Sequence, residues 1–243
     1  MTHSGKQRII VIDLLRGIAI GLMFIYHFCF DLTYYGYTDF RFNSDPFWLN
    51  FRAVIVSTFV GVVGFSLYLA HHKQWRRQAW LKRFAILVLA SLAVSAGSYL
   101  MYPKSFIFFG ILHFIALASL LGILFVRLGY LNLLLGGIIL LIGNHYSHPF
   151  FNQPAMQWIG LMTEGPITED YVPLFPWFGM VLVGLGLAYW SQNNQLLSRL
   201  LHWQNQGRAV KGLCFAGRHS LLIYLLHQPI FLGVLYVVTE ITR

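Results

Sequence analysis

The stretch RGIAIGLMFIYHFCFD, residues 16–31, decides the fold. Together with the apolar residues before it, it has the length of a transmembrane helix, which needs about 20 mostly apolar residues. Yet it begins with Arg16 and carries His27 and Asp31 near its other end. Lipid cannot solvate such groups, so a helix that carries them must turn them towards protein or water. This stretch therefore predicts an integral membrane protein with a polar interior.

The composition of the whole chain agrees with this prediction. Of 243 residues, 57% are hydrophobic and only 10% are charged, whereas soluble domains carry about a quarter charged residues. The apolar runs are continuous, which argues against the alternating segments of about ten residues that build a membrane β-barrel. We predict a single all-α domain over residues 1–243, a polytopic transmembrane helical bundle of about seven spans. The predicted spans are 9–31, 47–70, 82–101, 106–127, 129–145, 173–191 and 217–238.

The residues that give the formal charge of +9 are distributed unequally between the loops. Segments 1–8, 71–83 and 192–218 contain lysines and arginines and no acid, while six of the eight acids lie in the alternate segments. This distribution follows the positive-inside rule for short loops and predicts a cytoplasmic N-terminus and an external C-terminus. It explains the basic charge through topology, so we expect no nucleic-acid partner.

Three further expectations concern processing, cysteines and loops. The first apolar run contains charges and lacks a small-x-small cleavage site, so we expect it to remain as the first span. Cys29 and Cys214 are predicted to lie near opposite membrane faces, which makes a disulfide between them unfavourable. The external loop 145–172 is open to two interpretations, a lid or an interfacial helix.

Four ionisable residues of the first span share one side of the helix. Arg16 and His27 differ by about 20° in azimuth and lie about 16 Å apart along the axis. Asp13 can contact Arg16 at i,i+3, and Asp31 can contact His27 at i,i+4. All four fall within a stripe of about 60°. The stripe joins a charged pair on the cytoplasmic side to a His–Asp pair on the external side.

Arg52 and His113 are predicted at depths close to that of His27, and His227 is predicted near mid-membrane. We predict that Arg52, His113 and His227 converge with His27 on one chamber in the outer half of the bundle, with Trp177 as a further contact. The simpler interpretation of His113 and His227 is that they only make hydrogen bonds between helices. Similarly, Asp13 and Arg16 are open to a purely structural or gating ion pair.

The chemistry available to this chamber is acid–base and electrostatic. A histidine oriented by a carboxylate suits a general base, so we predict His27 as the base and Asp31 as its partner. No serine or cysteine lies on the same stripe, which favours direct transfer over a covalent Ser or Cys intermediate, with an acyl-histidine left open. A metal site is disfavoured because His145 and His148 lack further ligands at a recognisable spacing.

Five segments resemble a known family: IDLLRGIAIGLMFIYHFCFDL, STFVGVVGFSLYL, FFGILHFIALASLL, LFPWFGMVLVGLGL and GRHSLLIYLLHQPI. In this order, they are similar to small bacterial members of the heparan-α-glucosaminide N-acetyltransferase family and, more loosely, to the wider superfamily of transmembrane acyltransferases that modify cell-envelope glycans. The resemblance implies acetyl-CoA as donor on the cytoplasmic side, His27 as catalytic residue and Arg16 as a donor contact. Because the human-type enzyme is much longer, specificity for glucosamine is not carried over.

Together these observations predict an acyltransferase that moves an acyl group, acetyl by the resemblance, from CoA to a hydroxyl or amine of an envelope sugar or lipid-linked glycan. His27 and Asp31 are the predicted catalytic residues. The predicted donor contacts are Asp13, Arg16, Arg76 and Arg77, and the predicted acceptor contacts are Arg52, His113, Trp177 and His227. We expect no metal, a location in the bacterial plasma membrane, and a bilayer as partner, with a homodimer left open. The alternatives are a proton-coupled transporter and a non-catalytic membrane subunit.

Overall fold

A computed structural model describes residues 9–203 and 207–242. Lys6, Arg8 and Arg243, which enter the predicted charge distribution, lie outside these residues. Within the described part the chain is helical and forms no β-strand, which confirms the all-α prediction. The helices are α1 (Ile10–Tyr34), α2 (Pro46–His71), α3 (Arg77–Met101), α4 (Ile111–Gly122), α5 (Leu131–His145), α6 (Leu174–Asn193), α7 (Leu196–His202), α8 (Arg208–Arg218) and α9 (Ser220–Thr242).

Five of the described helices are long and apolar enough to cross a membrane: α1, α2, α3, α6 and α9. The other two predicted spans coincide with shorter apolar helices, since α4 has 12 residues and α5 has 15. The helix predicted over 106–127 begins only at Ile111 and ends at Gly122, where the chain enters a run of turns that includes Gly129 at a φ of +57°. The count of about seven spans and the cytoplasmic N-terminus stay predictions.

Two helices lie in segment 192–218, which the sequence analysis treats as a loop. In α8, Cys214 and Gly217 are buried, while Arg208, Lys211 and Phe215 are exposed. Their spacing of three or four residues places the two sets on opposite sides of a short amphipathic helix. The basic residues of this segment led to the prediction of a loop, whereas the structure forms a short polar helix there that is not a candidate membrane span.

The chain divides into two compact units, Met1–Phe59 with Leu196–Arg243, and Val60–Gln195. The single domain over 1–243 stays a prediction. In the first unit, α1 packs against α8 and α9. A Cβ on Gly17 would lie 1.9 Å from the carbonyl oxygen of Leu213, and one on Gly217 would lie 1.9 Å from that of Asp13. The two helices therefore cross with their backbones in contact, which glycine alone permits.

An aromatic cluster forms the core of the first unit. Tyr26, Phe42 and Trp48 are buried, and their rings meet edge to face or tilted at centroid distances of 4.4 to 5.9 Å. The segment after α1 is tied to α9, because the hydroxyl of Tyr35 donates to the carbonyl of Leu232 at 3.2 Å. These contacts hold the C-terminal end of α1 against α9, where the candidate site lies.

In the second unit, glycines bring helices equally close. A Cβ on Gly64 of α2 would lie 2.0 Å from the carbonyl oxygen of Val181 in α6. On another side of α6, Gly179 faces Gly136 of α5 in the same way. The core of this unit includes the fully buried Phe114.

Loop 145–172 contains two 3₁₀ turns, Pro149–Asn152 and Gln157–Ile159, and no α-helix. Its end is fixed by Asp170, whose Oδ2 accepts a hydrogen bond from the backbone N–H of Ile111 at 2.9 Å and so caps α4. The interfacial helix is therefore not formed within this loop, and a lid stays a prediction.

Candidate active site

A buried carboxylate lies near the C-terminal end of α1. Asp31 is 1% exposed, and its Oδ1 accepts a hydrogen bond from Nε2 of Gln228 on α9 at 3.3 Å. Within residues 9–203 and 207–242, Oδ2 of Asp31 and Oε1 of Gln228 are buried without a hydrogen-bond partner. Each such atom costs about 1–3 kcal/mol when it is left unpaired. Since buried polar groups are normally hydrogen-bonded, these atoms mark a place where a polar ligand or a water molecule can bind.

Two histidines meet beside this pair. The ring centroids of His27 on α1 and His227 on α9 are 4.9 Å apart, and the ring planes are inclined by 65°. His227 is 4% exposed, and its Nδ1 lies 2.5 Å from the carbonyl oxygen of Tyr224. The Nε2 atom of His227 is buried and has no hydrogen-bond partner among the described residues. The structure thus brings together two of the four residues predicted to form the chamber.

Aromatic side chains wall this pair of imidazoles. The ring of Phe24 stacks on that of His227 at 5.8 Å, and Phe231 packs against both of them edge to face. Tyr26 packs against His27 with its ring nearly perpendicular. Such walls exclude water and strengthen electrostatic interactions inside the site.

The predicted contact of Asp31 with His27 is replaced by another one. The carboxylate bonds to Gln228, and His27 makes no hydrogen bond within the described part of the chain. The i,i+4 spacing places the two side chains on one side of α1, but α9 supplies a closer donor. The predicted role of Asp31 as the group that orients His27 therefore lacks its hydrogen bond, while the catalytic roles of both residues stay predictions.

At the other end of the predicted stripe, Asp13 and Arg16 form an ion pair, with Nη1 of Arg16 3.5 Å from Oδ1 of Asp13. A second guanidinium, which the sequence analysis missed, approaches the other oxygen: Nε of Arg218 lies 3.9 Å from Oδ2. Arg218 also donates to the carbonyl of Cys214 at 3.1 Å. The carboxylate of Asp13 therefore interacts with arginines of both α1 and α8. The side chain of Arg218 is half-exposed.

The second unit contains a basic cavity of about 140 Å³. Its polar lining includes Arg76, Arg83, the buried His71 and Ser119, with Trp80 on one wall. Arg76 is one of the donor contacts predicted from the sequence, and Arg83 belongs to the same predicted basic segment. Arg77, the predicted companion of Arg76, is exposed and does not line the cavity. Two guanidinium groups around one concave space fit an anion such as phosphate.

His113 has a full set of partners in the second unit. The backbone N–H of Gly110 donates to its Nδ1 at 3.2 Å, so Nε2 carries the hydrogen and donates to Oγ of Ser95 at 3.0 Å. Ser95 in turn donates to the carbonyl of Ile107 at 2.6 Å. These bonds join α3 to the start of α4 and account for His113 structurally. Its predicted role in acceptor binding stays a prediction.

The two remaining acceptor contacts lie in different surroundings. Arg52 is exposed on α2, in contrast to the buried His227. Trp177 on α6 is half-buried and belongs to the second unit. Neither forms a hydrogen bond with the described residues. The convergence of Arg52, His113 and Trp177 on the site stays a prediction.

Gln228 and Tyr224 are two further residues of the candidate site that were not predicted from the sequence. Gln228 is not ionisable, whereas the sequence prediction rests on ionisable residues. A glutamine directly after His227 and before Pro229, inside an apolar span, is itself a signal, since polar side chains in membranes are costly and usually face a partner. Tyr224 acts through its backbone carbonyl, which no sequence pattern reveals.

Comparison with known proteins identifies the family of the chain. The model of the family described as "Heparan-alpha-glucosaminide N-acetyltransferase, catalytic" matches residues 8–229. The match covers most of the chain, so the chain belongs to this family, which is one of transmembrane acetyltransferases. Comparisons with curated proteins and with solved structures found no match.

Proposed function

We propose that this protein transfers an acetyl group from acetyl-CoA to a hydroxyl or amine of a cell-envelope sugar or glycan. The observation that carries the proposal is the group of three buried acceptor atoms on Asp31, His227 and Gln228 that have no donor among the described residues. Hydroxyl and amine groups donate hydrogen bonds, so an acceptor substrate supplies what these atoms lack. Family membership supplies the reaction class.

His27 and Asp31 are the proposed catalytic residues of this site. The ring of His27 packs against that of His227, which carries one of the three acceptor atoms. A ring nitrogen of His27 is available to a substrate, because this ring makes no hydrogen bond within the described residues. Asp31 brings a negative charge with one amide partner and no cation within hydrogen-bonding distance in the described chain. Such a carboxylate favours an acceptor that arrives with a positive charge, as an amine does at neutral pH.

Binding of the donor is proposed at the basic residues. CoA carries phosphate groups, and a guanidinium binds phosphate through paired hydrogen bonds. Arg76 and Arg83 line a cavity that is roomy enough for one phosphate group. Arg77 on the exposed surface nearby would contribute long-range attraction only. Asp13 and Arg16, which are paired, are proposed as a second donor contact.

The cellular setting is also a proposal. A glycan acceptor outside and a CoA donor in the cytoplasm require a protein that is open to both faces of a bilayer, and the plasma membrane of a bacterium offers both substrates. The remaining predicted contacts, Arg52, His113 and Trp177, are proposed to bind the acceptor. Of these, His113 is the weakest candidate, because both of its ring nitrogens already have partners.

Acetyl transfer by the purified protein in lipid nanodiscs tests the proposal. Radiolabelled acetyl-CoA is offered with D-glucosamine, which has an amine and hydroxyls, or with methyl glucoside, which has hydroxyls only. We expect free CoA thiol and acetylated sugar in equal amounts, with the amine preferred. A folded protein that binds no acetyl-CoA and releases no thiol would refute the function. Uptake of unmodified sugar into proteoliposomes would instead identify a transporter.

A further inference from the structure

We propose that His227, and not His27, takes the proton from the acceptor during acetyl transfer. The inference rests on the proposed function and assigns one of its steps to a residue that the sequence analysis treats only as an acceptor contact. It is carried by hydrogen bonds that fix which nitrogen of His227 is free. Three observations lead to it, and none depends on the identity of the sugar.

The first observation is the tautomer of His227. A backbone carbonyl can only accept a hydrogen bond, so the contact of 2.5 Å with the carbonyl of Tyr224 requires the hydrogen on Nδ1. In the neutral ring, Nε2 then carries a lone pair. This atom is buried and has no partner among residues 9–203 and 207–242. The arrangement is that of a general base, in which the partner of one nitrogen fixes the other as the proton acceptor.

The second observation is the orientation of Gln228. A carboxylate accepts and cannot donate, so Asp31 requires the amide NH₂ of Gln228 to point towards it. The amide oxygen, Oε1, therefore becomes the free group of Gln228, and it has no donor in the described chain. Two neighbouring residues of α9 thus each present a bare acceptor atom. Oε1 of Gln228 can therefore accept a hydrogen bond from a bound amine or hydroxyl.

The third observation concerns His27. Its ring lies 4.9 Å from that of His227, at an inclination of 65°. In a neutral imidazole one nitrogen carries hydrogen, and no described residue accepts it. In acyl transfer the nucleophile and the carbonyl oxygen are bonded to the same carbon, so a base and a donor must lie side by side. We assign His27 to the second task, donating to the carbonyl oxygen as negative charge develops there.

The step balances without a further reagent. The nitrogen or oxygen of the acceptor forms a bond with the thioester carbonyl carbon, and its proton passes to Nε2 of His227. The C–S bond breaks, its electron pair leaves on the CoA sulfur, and that sulfur receives the proton from His227. The products are the acetylated acceptor and CoA with a free thiol, and both imidazoles return to their starting state.

Two measurements on the full chain in nanodiscs test the assignment. The first is nitrogen NMR of histidine-labelled protein, with His227→Gln to identify the signal of His227. We expect hydrogen on Nδ1 and a bare Nε2. Hydrogen on Nε2 would overturn the inference, because that nitrogen could not accept a proton. His27→Gln is the matched control and should leave the His227 tautomer unchanged.

The second measurement compares the rates at which the wild type, His227→Gln and His27→Gln transfer acetyl from acetyl-CoA to D-glucosamine. His227→Gln keeps a polar group at Nε2 that is not basic, and we expect it to slow transfer by about 10²–10⁴-fold while acetyl-CoA still binds. Wild-type transfer in His227→Gln, with transfer lost in His27→Gln, would overturn this inference and leave the proposed function standing. A folded wild type without acetyl-CoA binding or thiol release would overturn both.

Discussion

Asp31 of α1 and Gln228 of α9 form a hydrogen bond of 3.3 Å between Oδ1 and Nε2, although 197 positions separate them in the chain. This bond places the carboxylate against the residue that follows His227 and so joins the two helices of the site. Because Asp31 is 1% exposed, its charge depends on the partners that the fold provides. The bond is therefore both a packing contact and a part of the site.

The first prediction separates these two roles. Gln228→Leu leaves the buried carboxylate without its donor and should lower the free energy of unfolding by about 1–3 kcal/mol. The double variant Asp31→Leu with Gln228→Leu replaces both partners by apolar groups and should recover most of this stability without recovering transfer. Thermal unfolding in detergent measures the first effect, and thiol release from acetyl-CoA the second. A double variant less stable than Gln228→Leu would contradict the account.

The second prediction concerns the crossing of α1 and α8. In Gly17→Ala the new Cβ would lie 1.9 Å from the carbonyl oxygen of Leu213, so the helices must separate. We expect a loss of about 1–3 kcal/mol, the usual cost of overpacking. Gly21→Ala is the matched control on the same helix, because nothing lies within 4 Å of its Cβ. Equal unfolding temperatures for the two variants would show that the helices do not touch.

The third prediction concerns the basic cavity of the second unit. Arg83→Gln removes a charged donor from its lining and should weaken acetyl-CoA binding by about 10–100-fold, the equivalent of one lost hydrogen bond to a charged group. Arg127→Gln is the control, since Arg127 is an exposed arginine that does not line the cavity. Isothermal titration of both variants in nanodiscs is the measurement. Unchanged affinity in Arg83→Gln would place the donor phosphates elsewhere.

The fourth prediction concerns pH and Cys214 on α8, outside the long apolar helices. Burial raises the pKa of this thiol, the charge of Asp13 raises it further, and Arg218 opposes the shift. A raised pKa means less thiolate at any given pH, so alkylation by iodoacetamide should be slow at neutral pH. The alkylation rate should rise only at a pH above that at which an ordinary cysteine thiol ionises. The rate is measured in Cys29→Ser. Alkylation at neutral pH as fast as that of free cysteine would contradict the burial.

The sequence predicted the parts of the site that one helix determines. The apolar length of α1, its polar stripe and the ion pair of Asp13 with Arg16 follow from spacing along a single helix. The meeting of His27 with His227 was proposed from depth alone, and the structure shows these two rings in contact. The two rings can meet because both residues lie on long helices that pack against each other.

The parts that depend on a partner helix were not predictable. Spacing allows Asp31 to contact His27, but nothing in α1 shows that Gln228 of α9 is a closer donor. In the same way, the second partner of Asp13, Arg218, comes from a helix that the charge pattern presents as a loop. Hydrogen bonds between distant segments are decided by packing, and the close approach at Gly17 fixes that packing for α8.

One measurement tests the central claim most directly: acetyl transfer from radiolabelled acetyl-CoA to D-glucosamine by the double variant His27→Gln with His227→Gln, compared with wild type under matched acetyl-CoA occupancy. The double variant removes both imidazoles and so does not depend on which one is the base. We predict that the variant folds, binds acetyl-CoA and transfers acetyl at least about 100-fold more slowly. Transfer at the wild-type rate would contradict the placement of the chemistry at this pair of histidines.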